Sequence, residues 1–254
     1  MKLTIGHFYP KLLNLYGDDG NVQILKYRAE KRGISVEVLE ITSDTDLTQD
    51  LMSKINLIFM GGGPDASQKD MYKDLIERKG KYLKNYISNN GVGLFICGSY
   101  QLLGKYYKSA DGDILNGLGI FDLYTKHPGK NKDRCIGNIA CNINKKLLED
   151  PTFKNVNNVG NTVVGFENHG GRSYLSENSS SFAEVISGYG NNQEDCTEGI
   201  IFKNTIGTYL HGPILSKNPH IADYLIAKAL NLNNLKKLDD SLIISAHTAS
   251  RKLK

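Results

Sequence analysis

Two short apolar runs constrain the fold most. Ile55–Met60 and Val92–Ile96 are nearly free of polar residues, and each ends in glycine: Gly61-Gly62-Gly63 after the first, Cys97-Gly98 after the second. Runs of this length without alternation belong to strands covered on both faces, as in a parallel sheet between helices. The surrounding pattern agrees. Leu3–Tyr9 and Ser35–Ile41 read as further strands. Asp18–Arg32 reads as a helix with Asp18 or Asp19 as N-cap and Gly33 as its stop, Asp46–Met52 as a short helix, and Met71–Ile87 as a longer one. Strand–helix alternation predicts an α/β fold with a mostly parallel central sheet.

Beyond residue 98 the pattern changes. Gly/Asn-rich turns separate extended runs at Ile136–Cys141, Thr162–Glu167, Phe182–Ser187 and Gly199–Leu210, expected to close antiparallel onto the same sheet. Helical spacing returns at Asn218–Leu230 and Asp239–Leu253. Lys126–Asp133 is the best loop candidate. No boundary divides the chain, so residues 1–254 are expected to form one domain, with about 236–254 as a helical tail.

The 254 residues carry a net charge of +4 from 31 basic and 27 acidic side chains, too small and scattered a surplus for a nucleic-acid footprint. No apolar run approaches the ~18–20 residues of a bilayer span. Met1–Tyr9 meets Pro10 and Lys11 with no small-residue cleavage site, so no signal peptide and a cytoplasmic location are expected. The four cysteines, at 97, 135, 141 and 196, make neither a disulfide framework nor paired zinc knuckles. Cys135 and Cys141 would share a strand face, but without a second pair or a nearby histidine they predict no metal site.

Gly61 to Ala66 partly fits a dinucleotide fingerprint, but Pro64 interrupts the turn and no acidic residue ends a strand ~20 residues later. The better use of the glycines is close backbone approach to a ligand oxygen. Gly98 to Lys105 has one residue too many for a P-loop, and Tyr106 stands where a magnesium-binding hydroxyl belongs. The chain is therefore not expected to use ATP itself.

Cys97 is the most informative position. A cysteine closing a buried strand ahead of a helix start is a nucleophile elbow, with a helix N-terminus that favours thiolate and a following N–H that can hold an oxyanion. Such a nucleophile needs a base. His7, His127, His220 and His247 have no supporting pattern and read as surface or packing residues. His169 and His211 both end extended runs, and spacing alone leaves both open.

Taken together, Ile96-Cys97-Gly98-Ser99-Tyr100-Gln101-Leu102-Leu103-Gly104, Gly165-Phe166-Glu167-Asn168-His169 and Gly207-Thr208-Tyr209-Leu210-His211-Gly212 resemble class I glutamine amidotransferases of the cobyric-acid-synthase-like branch. The resemblance is greatest to the glutaminase subunits that serve lipid II amidation, and runs from Leu13 to Leu215. It implies a flavodoxin-like fold, Cys97 as nucleophile and His211 as catalytic histidine. It also implies Gly98 and Gly62 as oxyanion donors, Gln101 and Arg134 as glutamine-binding residues, and no cofactor or metal. A guanidinium fork suits a carboxylate, which makes Arg134 sensible in that role.

The partner implied is a Mur-ligase-like, ATP-dependent synthetase subunit in a heterodimer, which would use ammonia from L-glutamine on the α-carboxyl of D-glutamate in the lipid II stem peptide. Its lipid-linked substrate would be reached through that partner. Two departures stand out. Gly212-Pro213 replaces the acidic residue that follows the histidine in the wider class, so a Cys–His dyad is expected, with Glu167 as a substitute from the neighbouring strand. Phe95 and Ser99 replace glycines beside the elbow. A different synthetase, a γ-glutamyl hydrolase without a partner and a non-catalytic module are the competing readings.

Overall fold

A computed structural model describes residues 1–63, 71–129 and 131–253. Pro64, Asp65 and Ala66, on which the dinucleotide fingerprint depends, lie outside the described residues.

Four strands come from the first part of the chain: β1 (Lys2–Phe8), β2 (Ser35–Ile41), β3 (Leu57–Met60) and β4 (Val92–Ile96). All residues of β3 and β4 are buried, as their apolar sequences require. The second part supplies β5 (Tyr106–Lys108), β6 (Ile114–Asn116), β7 (Leu123–Lys126), β8 (Cys135–Ile143), β9 (Thr162–His169), β10 (Arg172–Leu175), β11 (Ala183–Ser187), β12 (Thr197–Glu198), β13 (Ile200–Phe202) and β14 (Thr205–Thr208). The central sheet has the order β13-β14-β4-β3-β1-β2, parallel except for β13. Phe8, Met60, Ile96 and Thr208 thus end their strands along one edge.

The expectation that the later strands close onto this sheet is corrected. Only β13 and β14 join it. The others form two separate four-stranded sheets, β10-β7-β5-β6 and β12-β11-β8-β9. β8 and β9 pair over eight positions, from Cys135↔His169 to Asn142↔Thr162, and β8 takes β11 on its other side, leaving it no edge for the central sheet. Cys135 and Cys141 do share a buried face. Burial pushes the Cys135 thiol up to about 12 and Cys141 well above its ordinary value, which suits packing rather than chemistry.

The helix expected over Met71–Ile87 contains a π-helical turn, Leu75–Lys79, before continuing as Gly80–Ser88. The wide turn brings Lys79 inward to Asp74, which also accepts the Tyr9 hydroxyl at 2.8 Å. Pro219–Ala229 starts with proline at the position where a missing N–H costs nothing, and packs against β3, β4 and the helix Gly20–Glu30. The tail is bound tightly. Buried Arg28 meets Asp223 at 2.7 and 2.8 Å and Asp240 at 2.6 and 2.9 Å. His247, in the helix Ser241–Ser250, reaches the Thr162 hydroxyl and the Lys217 carbonyl, each at 2.9 Å.

Candidate active site

Cys97 sits between the end of β4 and the helix Gly98–Leu102, with φ 52° and ψ −107°. A non-glycine residue held there is strained, and the surroundings enforce it: its N–H donates to the Thr208 carbonyl at 2.8 Å, and its carbonyl accepts from Gln101 N at 2.9 Å. Ser99 fits beside the elbow because its hydroxyl is used, donating to the carbonyls of Met60 and Ile96 at 2.7 and 3.0 Å. Phe95 fits because its ring folds over Gly93, where a Cβ would lie 2.6 Å from it. Gly98 opens the helix, so its N–H has no intrahelical acceptor.

His211 follows β14 and faces Cys97 across Gly62. A Cβ on Gly62 would lie 2.9 Å from His211 Cε1 and 3.0 Å from Cys97 Cβ. The expectation of a histidine without an acidic partner is corrected here. Asp18 places both carboxylate oxygens 3.1 Å from His211 Nδ1. Nδ1–H therefore donates to Asp18, and Nε2 is left on the ring's other side. Burial opposes a charge on this ring, but the Cys97 sulfur and then Asp18 outweigh it and raise its pKa to about 10. Glu167 takes no part. It accepts the N–H groups of Tyr189 and Gly190 at 2.6 and 2.9 Å and lies 3.6 Å from His169.

Gly62 is a second correction. Its N–H donates to Asp18 Oδ2 at 2.8 Å and so does not point toward an oxyanion. What the site requires from Gly62 is the absence of a side chain between nucleophile and histidine. Asp18 is not the N-cap either, since the helix begins at Gly20 after Asp19. One hint was present in the sequence: two successive aspartates stand where a single cap suffices.

Around Cys97 lies a cavity of about 400 Å³, lined by Gln101, Arg134, Asn168, His169 and other residues. Gln101 donates to the Tyr209 hydroxyl at 3.0 Å. Arg134 donates from Nε and Nη2 to the side-chain and main-chain oxygens of Asn168 at 2.9 and 3.1 Å. The Asn168 amide in turn donates to the hydroxyl of Tyr16, whose ring stands edge-on to His211 at 5.0 Å. His169 also borders the cavity, but its ring stacks on Tyr209 at 3.6 Å, Nδ1 is 2.8 Å from the Gly171 carbonyl, and burial lowers its pKa. A cavity of about 420 Å³ lies beside Asn56, Asn90 and Asn204 and holds no candidate nucleophile. Lys105, the would-be P-loop lysine, pairs with Asp122. No helix among the described residues is long and apolar enough to cross a membrane.

The sequence pattern of the CobB/CobQ-like glutamine amidotransferase domain matches residues 4–219. The chain belongs to that family. Among amidotransferases of this kind, it is similar to the GatD subunit of lipid II isoglutaminyl synthase (glutamine-hydrolyzing) from Staphylococcus aureus, at 43% identity over 96% of this chain and 93% of the relative. It is 40% identical to the GatD subunit from Streptococcus pneumoniae, over 90% and 81% of the two chains. A probable cobyric acid synthase of Methanococcus maripaludis is 32% identical, over 66% of this chain and 32% of that longer one.

The amidotransferase fold is seen again in distant solved structures. The glutaminase domain of Trypanosoma brucei CTPS with bound acivicin superposes with a TM-score of 0.57 at 12% identity, covering 92% of this chain and 98% of that one. PurLQS from Thermotoga maritima gives 0.56 at 14% identity, covering 91% and 99%. The tail from residue 220 lies beyond the family match, yet it is fastened to the domain through Arg28 and Thr162.

Proposed function

We propose that this chain is the glutamine-hydrolysing subunit of a lipid II isoglutaminyl synthase. The observation that carries the reading is Cys97 in the wall of a cavity that also holds Arg134, backed by His211 and Asp18 buried behind it. The Cys97 thiolate attacks the side-chain carboxamide carbon of L-glutamine, and the Gly98 N–H faces the developing oxyanion. Protonated His211 passes its Nε2 proton to the departing nitrogen, which leaves as ammonia, while Asp18 holds the ring through Nδ1. The histidine, now neutral, takes a proton from water, which attacks the γ-glutamyl thioester and releases glutamate and the thiolate. Gln101 and Arg134 bind the substrate glutamine.

Ammonia then passes to a separate ATP-dependent subunit of the Mur-ligase kind, MurT, in a cytoplasmic heterodimer that amidates D-glutamate in the lipid II stem peptide. Free ammonia would be protonated and lost in water, so coupling needs a docked acceptor. We expect an interface of ~1,600 Å² or more near the sheet edge that carries Cys97. The test is co-expression with the Mur-ligase-like protein, size exclusion, and an amidation assay with glutamine labelled at its amide nitrogen. Label should enter the stem peptide only with both subunits and ATP. Amidation by this chain alone, or no label with both present, defeats the reading.

A further inference from the structure

His127 has no supporting pattern in the sequence, yet it stands in the wall of the Cys97 cavity with Arg134, Asn168 and Gly170. One hydrogen bond sets its tautomer. The Gly129 N–H donates to His127 Nδ1 at 3.1 Å, so Nδ1 carries the lone pair and, in the neutral ring, Nε2 carries the proton. Nε2 is therefore a donor. Gly170 shows where it lies: a Cβ on that glycine would be 2.8 Å from His127 Nε2 and 3.2 Å from Arg134 Nη1. The two nitrogens therefore lie no more than 6.0 Å apart, side by side against Gly170. The arginine is held in this pose, since Nε and Nη2 both donate to Asn168 and thereby fix the guanidinium plane.

We propose that His127 and Arg134 form a two-donor clamp for the α-carboxylate of substrate glutamine, with Asn168 positioning the arginine and Gly170, lacking a side chain, letting both donors approach each other. The inference rests on the glutaminase reading and deepens it. A carboxylate offers two charged oxygens to two donors at this spacing, and charge-assisted bonds of this type are the stronger ones. A glutaminyl residue inside a peptide has a neutral amide at that place, with one carbonyl acceptor and no charge. The clamp therefore selects free glutamine over peptide-bound glutamine.

The test measures steady-state glutaminase kinetics of the full chain on two substrates, L-glutamine and L-glutaminamide, whose α-carboxylate is replaced by a neutral carboxamide. His127→Ala should raise KM for L-glutamine about tenfold or more, with kcat changed less than about threefold. On L-glutaminamide the same substitution should change kcat/KM by less than about twofold. His127→Gln, which keeps an N–H donor, should recover much of the loss. Gly170→Ala is an independent variant: its methyl pushes only on the far ends of two flexible side chains, and should raise KM for glutamine in the same selective way. Equal losses on both substrates, or an unchanged KM in both His127→Ala and Gly170→Ala, would overturn the clamp. A wild-type chain that hydrolyses neither substrate, alone or with its synthetase, would instead remove the glutaminase reading on which the clamp rests.

Discussion

Both carboxylate oxygens of Asp18 lie 3.1 Å from Nδ1 of His211, and Oδ2 also takes the Gly62 N–H at 2.8 Å. One side chain from the loop after β1 thus holds the imidazole and the glycine turn after β3 together. Asp18→Asn keeps an acceptor for Gly62 but not the charge that holds the imidazolium. It should lower kcat by ~10²-fold or more, with KM for glutamine within a few-fold and the melting temperature nearly unchanged. A variant with wild-type kcat would take Asp18 out of the mechanism.

Cys97→Ala should abolish glutamine hydrolysis in a folded protein, because none of the other three cysteines lines the cavity that Cys97 borders. The backbone makes a further demand. At φ 52° a side chain of any kind is strained, whereas glycine is not. Cys97→Gly should therefore be more stable than Cys97→Ala by about 1 kcal/mol in denaturant titrations. Equal stability would mean that the elbow is relaxed.

His211→Ala should reduce turnover by ~10²–10⁴-fold, far more than His169→Ala, whose ring packs on Tyr209. NMR titration offers a parallel check. Since the Cys97 sulfur is the first of the influences raising the His211 pKa to about 10, the imidazole should titrate lower in Cys97→Ala. An unmoved titration would separate the two residues electrostatically.

Glu198 is wholly buried beneath β14, where it accepts from the Thr208 hydroxyl and, at 3.0 Å, from Tyr209 N, while Oε2 has no partner. Burial raises its pKa to about 8, with the Thr208 and Tyr209 bonds opposing. A carboxyl whose folded pKa exceeds its unfolded value binds its proton more tightly in the fold. Stability should thus fall as pH rises from about 4.5 to about 8, and level off above. Glu198→Gln removes that slope. Denaturation at pH 5 and pH 8.5 should show the variant gaining on the wild type at the higher pH, and a constant difference would refute the assignment.

The positions legible in the sequence are those fixed by short-range rules. Val92–Ile96 followed by Cys97-Gly98 spells a buried strand and an elbow, and the structure places both there. Asp18 was legible only as a helix-cap candidate, because its partner lies 193 residues away and no local pattern records that pairing. Glu167 is the converse: it neighbours His169 in the sequence but faces the backbone of Tyr189 and Gly190. The runs Ile136–Cys141 and Thr162–Glu167 read as strands, but which sheet they join depends on the β8–β9 pairing, to which alternation is blind.

The Arg28–Asp240 contact has a consequence for synthesis. Arg28 leaves the ribosome 212 residues before Asp240. At ~5–20 residues per second, the nascent chain would wait roughly 10–40 s for the second of its two carboxylates. Until then the guanidinium can pair only with Asp223, itself a late arrival. The nucleophile elbow and the glycine turn are therefore made long before the helix Gly20–Glu30 can seat its charge, and the last stretch of chain locks the first helix in place.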